Sequence, residues 1–181
     1  EQALNKQVEA NEAKAAAEQY RSLSEETQTT VRRMVAAQRS TTDLGNQFAL
    51  IFTQFLSNQE GRFQGEIDAE DTTQERYRER LWKIFYGNQL LGLGNDIRIA
   101  NLRAQTNNDP SYIEKVLPNF QVIFDGLTEV GTVTRQAAYQ QELDSIRKVT
   151  TDYQSSMMDI YDSIKILADL NQQRVEVGGR V

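Results

Sequence analysis

Apolar residues recur at alternating intervals of three and four along most of this chain, and only two prolines interrupt its 181 residues. The clearest run comprises Leu143, Ile146, Thr150, Tyr153, Met157, Ile160, Ile164, Leu167, Asn171 and Arg174. Such spacing places residues on one side of an α-helix and is typical of helices packed like a coiled coil. We therefore predict an all-α fold, an elongated antiparallel helical bundle that is either a four-helix module or stacked modules sharing long helices.

The predicted helices differ greatly in length within one domain. The expected elements are a long helix over 1–60, a turn over 61–71, a helix over 73–106 and one or two helices over 110–177. Gly61 and Gly65 mark the first turn, and Asn107-Asn108-Asp109-Pro110 marks the second, because the residue before proline resists the helix. A compact bundle of such unequal helices does not close. Either the long helices reach a second set of helices, or another chain covers them.

Composition excludes several classes of function. The chain has no histidine and no cysteine, and its 26 acidic residues outnumber its 20 basic ones, for a formal charge of -6. The usual zinc, haem and iron–sulfur sites, cysteine nucleophiles and the Ser-His-Asp triad require histidine or cysteine. Binding a nucleic-acid backbone requires a basic surface. We therefore expect no enzyme activity, no catalytic residues, no metal, no cofactor and no nucleic-acid partner.

The helix over 73–106 carries polar groups on its predicted seam. That seam is Leu81, Ile84, Asn88, Leu91, Asn95, Arg98 and Leu102. Burying an amide or a guanidinium is costly unless the group is paired. Either Asn88, Asn95 and Arg98 pair with polar seam residues of other helices, or they line a cleft in which Arg98 binds a carboxylate at two points.

Two further groups of arginines occur on the predicted helices. Arg32, Arg33 and Arg39 are read either as solvated side chains or as a second carboxylate clamp, in which Arg39 is the candidate ligand-binding residue. The arginines at 76, 78 and 80 alternate with glutamates at helix-pair spacing, which favours a solvated face.

Three stretches, 88–103, 107–116 and 167–174, carry a resemblance to a known family, with Arg-Ile-Ala-Asn-Leu at 98–102 as its core. They resemble the helical bimodular ligand-binding domains of bacterial chemoreceptors and sensor histidine kinases, and the resemblance covers about residues 75–181. It implies a periplasmic, all-helical domain of two stacked four-helix modules, several members of which bind small organic acids. By position in and beside that core, it implies ligand contacts for Arg98 and Arg103.

We therefore expect an extracytoplasmic sensor domain that binds a small anionic metabolite between helices and signals by helix displacement. Its parent would be an inner-membrane chemoreceptor or sensor kinase, anchored through segments outside this sequence. A homodimer along the polar N-terminal helix is expected. The alternative is a structural or adaptor bundle, or a sensor domain that binds a partner protein, in which the seam asparagines set the register of packing.

Overall fold

The computed structural model describes residues 2–68, 73–134 and 137–179, and these residues form four α-helices without any strand. The helices are α1 (Gln2–Asp68), α2 (Gln74–Asn107), α3 (Ser111–Thr132) and α4 (Ala137–Gly178). The predicted all-α bundle is confirmed. Of the one or two helices predicted over 110–177, the structure has two, α3 and α4.

Helices α1 and α4 are the long axis of the molecule and run antiparallel along each other. Asn58 of α1 donates to Glu142 near the start of α4, and Thr41 bonds Ser156 near its middle. The α2–α3 hairpin packs on this pair to complete a four-helix bundle. Beyond the hairpin, α1 and α4 continue against each other around a separate small core formed by Ala16, Leu23, Leu170 and Val177. We call this part the two-helix segment; it accommodates the unequal helix lengths within one chain.

The first turn begins later than predicted. Helix α1 continues through Gly61 and Gly65 as far as Asp68, so the expectation of a turn over 61–71 is wrong for residues 61–68. Residues 69–72 lie outside the described residues. The extension is held by tertiary contacts, since Glu66 accepts hydrogen bonds from Arg80 and Tyr77 of α2. These contacts outweigh the weak helix propensity of two glycines.

The second turn lies where the sequence placed it. Asn108 adopts the left-handed conformation, with φ 50°, and its N–H donates to the Ala104 carbonyl. The Asp109 carboxylate accepts a hydrogen bond from the Ser111 backbone N–H at 2.9 Å. That bond lowers the pKa of Asp109 below its usual value, because it stabilises the ionised form.

The core confirms the predicted inner face of α4 from Leu143 to Ile164. Tyr153 lies at its centre, between Phe48 of α1 and Phe120 of α3, with ring centroids 6.4 and 5.8 Å away. At the far end of α4 the prediction is wrong, since Leu170 and Val177 are buried while Asn171 is exposed. Burial there depends on α1 alone, because the hairpin does not reach that far.

The buried face of α2 differs from the predicted seam. Its buried residues are Lys83, Gly87, Leu90, Gly94, Ile97, Ala100, Asn101 and Ala104. The glycines are the reason, because α1 lies so close that a Cβ on Gly94 would come within 2.0 Å of the Phe48 ring. A Cβ on Gly87 would come within 2.8 Å of Leu56. Gly87 and Gly94, which have low helix propensity, are therefore the contact points of α2.

Candidate functional site

The predicted ligand residues of α2 lie on its outer surface. Asn88, Asn95, Arg98 and Arg103 are all exposed, and the Asn88 amide donates to the Ile84 carbonyl of its own helix at 2.9 Å. The prediction that Asn88, Asn95 and Arg98 occupy a buried seam is wrong, because the glycine face of α2 turns toward α1 instead. An exposed guanidinium needs no buried partner, so the cost argument for a ligand at Arg98 no longer applies.

Arg39 is exposed on α1 and lines a shallow depression with Val35, Gln38, Thr42 and Asp43. Within the described part of the chain, no hydrogen bond or ion pair joins Arg39 to α2. The structure thus does not bring Arg39 together with Arg98 or Arg103 in one site. Arg33 instead forms an ion pair with Asp159 of α4.

A different, partly buried charged cluster lies where the ends of all four helices meet. We call it the polar end cluster and define it as Gln59, Glu66, Glu79, Arg80 and Lys83. Lys83 is only 4% exposed. Its ammonium donates to Glu79 at 2.6 Å and to the Val133 carbonyl at the end of α3 at 3.1 Å. The lysine thereby ties α2 to the end of the neighbouring helix.

Arg80 is the centre of the polar end cluster. Its two Nη atoms donate to Gln59 at 2.6 Å and to Glu66 at 2.8 Å, both on α1. Its Nε is buried and meets no acceptor among the described residues. A buried donor without an acceptor loses its hydration and gains no hydrogen bond in return, at a cost of about 1–3 kcal/mol. Arg80 therefore retains one unused N–H.

A pocket of about 360 Å³ opens beside this arginine. We call it the end pocket; it is lined by Glu66, Thr73, Glu75, Arg76, Glu79, Arg80, Lys83, Val133 and Tyr139. Arg76 lies one helical turn before Arg80, and its guanidinium has no hydrogen-bonded or ionic partner in the described ranges. The volume of the end pocket lies within the range of small-molecule binding sites.

Tyr139 and Gln140 of α4 fix the side of the pocket that this helix forms, through a cation–π contact and through amide hydrogen bonds. The Arg62 guanidinium lies 3.6 Å from the centroid of the buried Tyr139 ring. Burial and the nearby charge of Arg80 lower the pKa of Arg62. Gln140 donates to the carbonyls of Gly131 and Thr134 at 3.0 and 2.6 Å, which joins the end of α3 to α4.

A second depression, of about 550 Å³, lies between α1 and α4. Its charged groups are already in ion pairs within the protein, Arg33 with Asp159 and Asp152 with Lys148. The hydroxyls of Thr41 and Ser156 bond each other at 2.7 Å, and Ser156 also bonds the Ala37 carbonyl. Its one cation, Arg33, is therefore already bound to a carboxylate, whereas the end pocket contains Arg76 without such a partner in the described ranges.

Sequence reasoning missed the end pocket because the region read as a solvated face. Arg80 is in fact largely buried, and Lys83 belongs to the inner face of α2. A detectable signal existed, since Lys83 begins the 4-3 series that continues through Gly87, Leu90 and Gly94. Glycine contributes little to a hydropathy pattern, so that series is easily overlooked.

Comparison with protein-family models, curated proteins and solved structures finds no match for this chain. None of the helices in the described ranges combines the length and apolar character needed to cross a bilayer. In that same part of the chain, no group of three or more acidic side chains is arranged to hold a metal ion.

Proposed function

We propose that this chain is a non-enzymatic sensor domain that binds a small organic acid in the end pocket. The observation that carries the proposal is the pair of arginines on one face of α2. Arg80 keeps an unused buried Nε–H, and the Arg76 guanidinium beside it has no partner among the described residues. Guanidinium groups bind carboxylates with strong, charge-assisted hydrogen bonds.

The balance of charge in the pocket favours an acid that also carries hydrogen-bond donors. Three cations, Arg76, Arg80 and Lys83, face three carboxylates, of which Glu79 already binds Lys83. A ligand carboxylate would bind the arginine side. A hydroxyl or ammonium group on the same molecule would donate to Glu75, which has no partner in the described part of the chain.

The long helices supply a route by which binding would be transmitted. The pocket is lined by Glu66 of α1 and Tyr139 of α4, and both helices continue from there to the two-helix segment at the other end. A ligand that draws α2 toward these helices changes the relative free energies of two helix arrangements. Small helix shifts of this kind are a known mode of signalling between distant sites. An extracytoplasmic domain of a membrane receptor, as the family resemblance implies, would use this geometry.

Thermal unfolding with a panel of monocarboxylic, dicarboxylic, hydroxy and amino acids tests the proposal. A binding acid at a hundred times its dissociation constant stabilises the fold by about 2.7 kcal/mol. For a chain of this size, that raises the melting temperature by roughly 5–11 °C. Arg76→Ala should abolish the shift without lowering the melting temperature of the free protein, because the Arg76 side chain makes no hydrogen bond or ion pair in the described ranges.

Two matched variants locate the site. Arg78→Ala removes an exposed arginine two residues along the same helix and should leave the shift intact. Arg98→Ala tests the outer face of α2, where the sequence placed the ligand. If no acid stabilises the protein, or if Arg98→Ala abolishes the shift and Arg76→Ala does not, the end pocket is not the acid-binding site.

A further inference from the structure

Helix α2 carries a second regular stripe, which faces away from its own bundle. We call it the outer stripe; it comprises Leu81, Phe85, Asn88, Gly92, Asn95, Ile99 and Leu102. The intervals are 4-3-4-3-4-3, the spacing of a helix seam that has a partner. Its four large apolar residues are 50, 64, 46 and 55% exposed in chain order. The bundle described above leaves this stripe uncovered.

The glycine at the middle of the outer stripe has no explanation within one chain. Gly87 and Gly94 are required by the close approach of α1, but a Cβ on Gly92 would meet no atom within 4 Å. A glycine inside a helix costs about 1 kcal/mol relative to alanine. A helix that approaches Gly92 from outside would use the space that the missing side chain leaves.

The outer stripe is symmetric about Gly92. Counting outward in either direction meets an asparagine, then a large apolar residue, then a leucine. Asn88 and Asn95 flank the glycine, Phe85 and Ile99 each lie seven residues away, and the leucines follow. An interface between two identical copies related by a two-fold axis must be complementary to itself. A palindromic stripe meets that condition when the two helices run antiparallel.

We propose that a second copy of this chain packs on the outer stripe, with the two α2 helices antiparallel and the two-fold axis passing beside Gly92. Asn88 then faces the partner's Asn95, and their amides hydrogen-bond each other. Phe85 faces the partner's Ile99, and Leu81 faces the partner's Leu102. The paired amides set the register, since any slip places an amide against an apolar side chain.

The residues beside the outer stripe are compatible with this pairing. Arg103 falls opposite the partner's Trp82, where a guanidinium and an aromatic ring attract each other. Asp96 falls opposite the partner's Gln89, and no charge of the flanks meets a like charge. The stripe runs about 31 Å along the helix.

The exposed apolar area of the outer stripe is as large as that of patches that often mark interaction sites. Its four apolar side chains expose on the order of 400 Å² per copy, comparable to the largest apolar patch of ordinary monomers. That is about half of what each partner buries in a standard interface. The amides, the glycine surface and the flanking side chains supply further area. The proposal does not depend on the end pocket, which is lined by other residues of α2.

Sedimentation equilibrium of exchanged variants tests both the interface and its direction. Phe85→Lys and Ile99→Glu should each weaken the dimer at least tenfold, because each puts two charges against apolar side chains. Mixing the two variants should restore the dimer. The mixed dimer keeps one of its two contacts between Phe85 and Ile99 and, in place of the other, sets the introduced lysine opposite the introduced glutamate. A parallel pairing would not bring these positions together, so failure of the mixture to recover overturns the antiparallel arrangement.

A matched control removes an exposed apolar residue from another face. Val122 of α3 is 47% exposed, and Val122→Lys should leave the association constant unchanged. A wild-type chain that remains monomeric up to about 1 mM overturns the proposal.

Crosslinking provides an independent measurement, because the chain contains no cysteine. Gly92→Cys places one thiol beside the two-fold axis, where the two copies come within disulfide distance. Gly61→Cys is the control, since Gly61 is also an exposed helical glycine with open space around it. Gly92→Cys should oxidise to a covalent dimer at least tenfold faster than Gly61→Cys. Equal oxidation rates of the two variants would show that the two-fold axis does not pass beside Gly92.

Discussion

The same substitution at two glycines of α2, Gly92 and Gly94, should change stability in opposite directions. Gly92→Ala adds a methyl group in open space and should stabilise the folded monomer by about 1 kcal/mol through helix propensity. Gly94→Ala gains the same propensity but places its Cβ 2.0 Å from Phe48 Cε1. Phe48 is 2% exposed, and its ring packs on Phe52 with centroids 4.7 Å apart, so the ring has no free space to enter.

The expected difference follows from these two terms. Overpacking a core by one methyl group typically costs 1–3 kcal/mol, and the short contact at Phe48 places this site at the upper end. Subtracting the propensity gain leaves Gly94→Ala destabilised by about 2 kcal/mol. The two variants should then differ by about 3 kcal/mol, or roughly 6–12 °C in melting temperature.

Urea unfolding followed by far-ultraviolet circular dichroism, at dilute protein to exclude self-association, measures this difference. The slope against urea should stay constant, which shows that only stability has changed. A Phe48→Leu background should reduce the cost of Gly94→Ala by at least about 1 kcal/mol, because the two sites are in contact. Equal stability of the two alanine variants would refute the inward placement of Gly94, and with it the register of α2.

Two further substitutions probe the centre of the bundle and its surface. Burial raises the pKa of Tyr153 to about 12, against an opposing effect of Arg98, while the unfolded chain titrates near 10. The free energy of unfolding of the wild type should therefore fall by up to roughly 2.7 kcal/mol relative to that of Tyr153→Phe as pH rises from about 10 to 12. If the stabilities of the two proteins change in parallel with pH, this prediction is wrong. Arg98→Ala should change the free energy of unfolding at neutral pH by less than about 0.5 kcal/mol, because Arg98 is exposed. A large loss of stability in urea titration would show instead that Arg98 forms a structural ion pair.

The end pocket shows the limit of sequence reasoning for the candidate site. Two glutamates near Arg80 in sequence made the region read as solvated, but Gln59 and Glu66 approach it from another helix. Residues separated by 14 to 21 positions come together only because α1 and α2 form an antiparallel pair. No spacing rule within one helix contains that information.

Local chemistry was sufficient for much of the fold. The periodic apolar face of α4, the scarcity of proline and the Asn108 turn act within a few residues of chain, so the sequence by itself determined an antiparallel helical bundle and its second turn. It left open whether 110–177 forms one helix or two. The choice of the buried face of α2 was decided by tertiary structure. The helix carries polar and apolar residues on more than one 4-3 stripe, and the bundle buries the stripe whose glycines admit Phe48 and Leu56. Hydropathy measures what a side chain gains by leaving water, whereas this choice depends on the space that an absent side chain leaves to its neighbour.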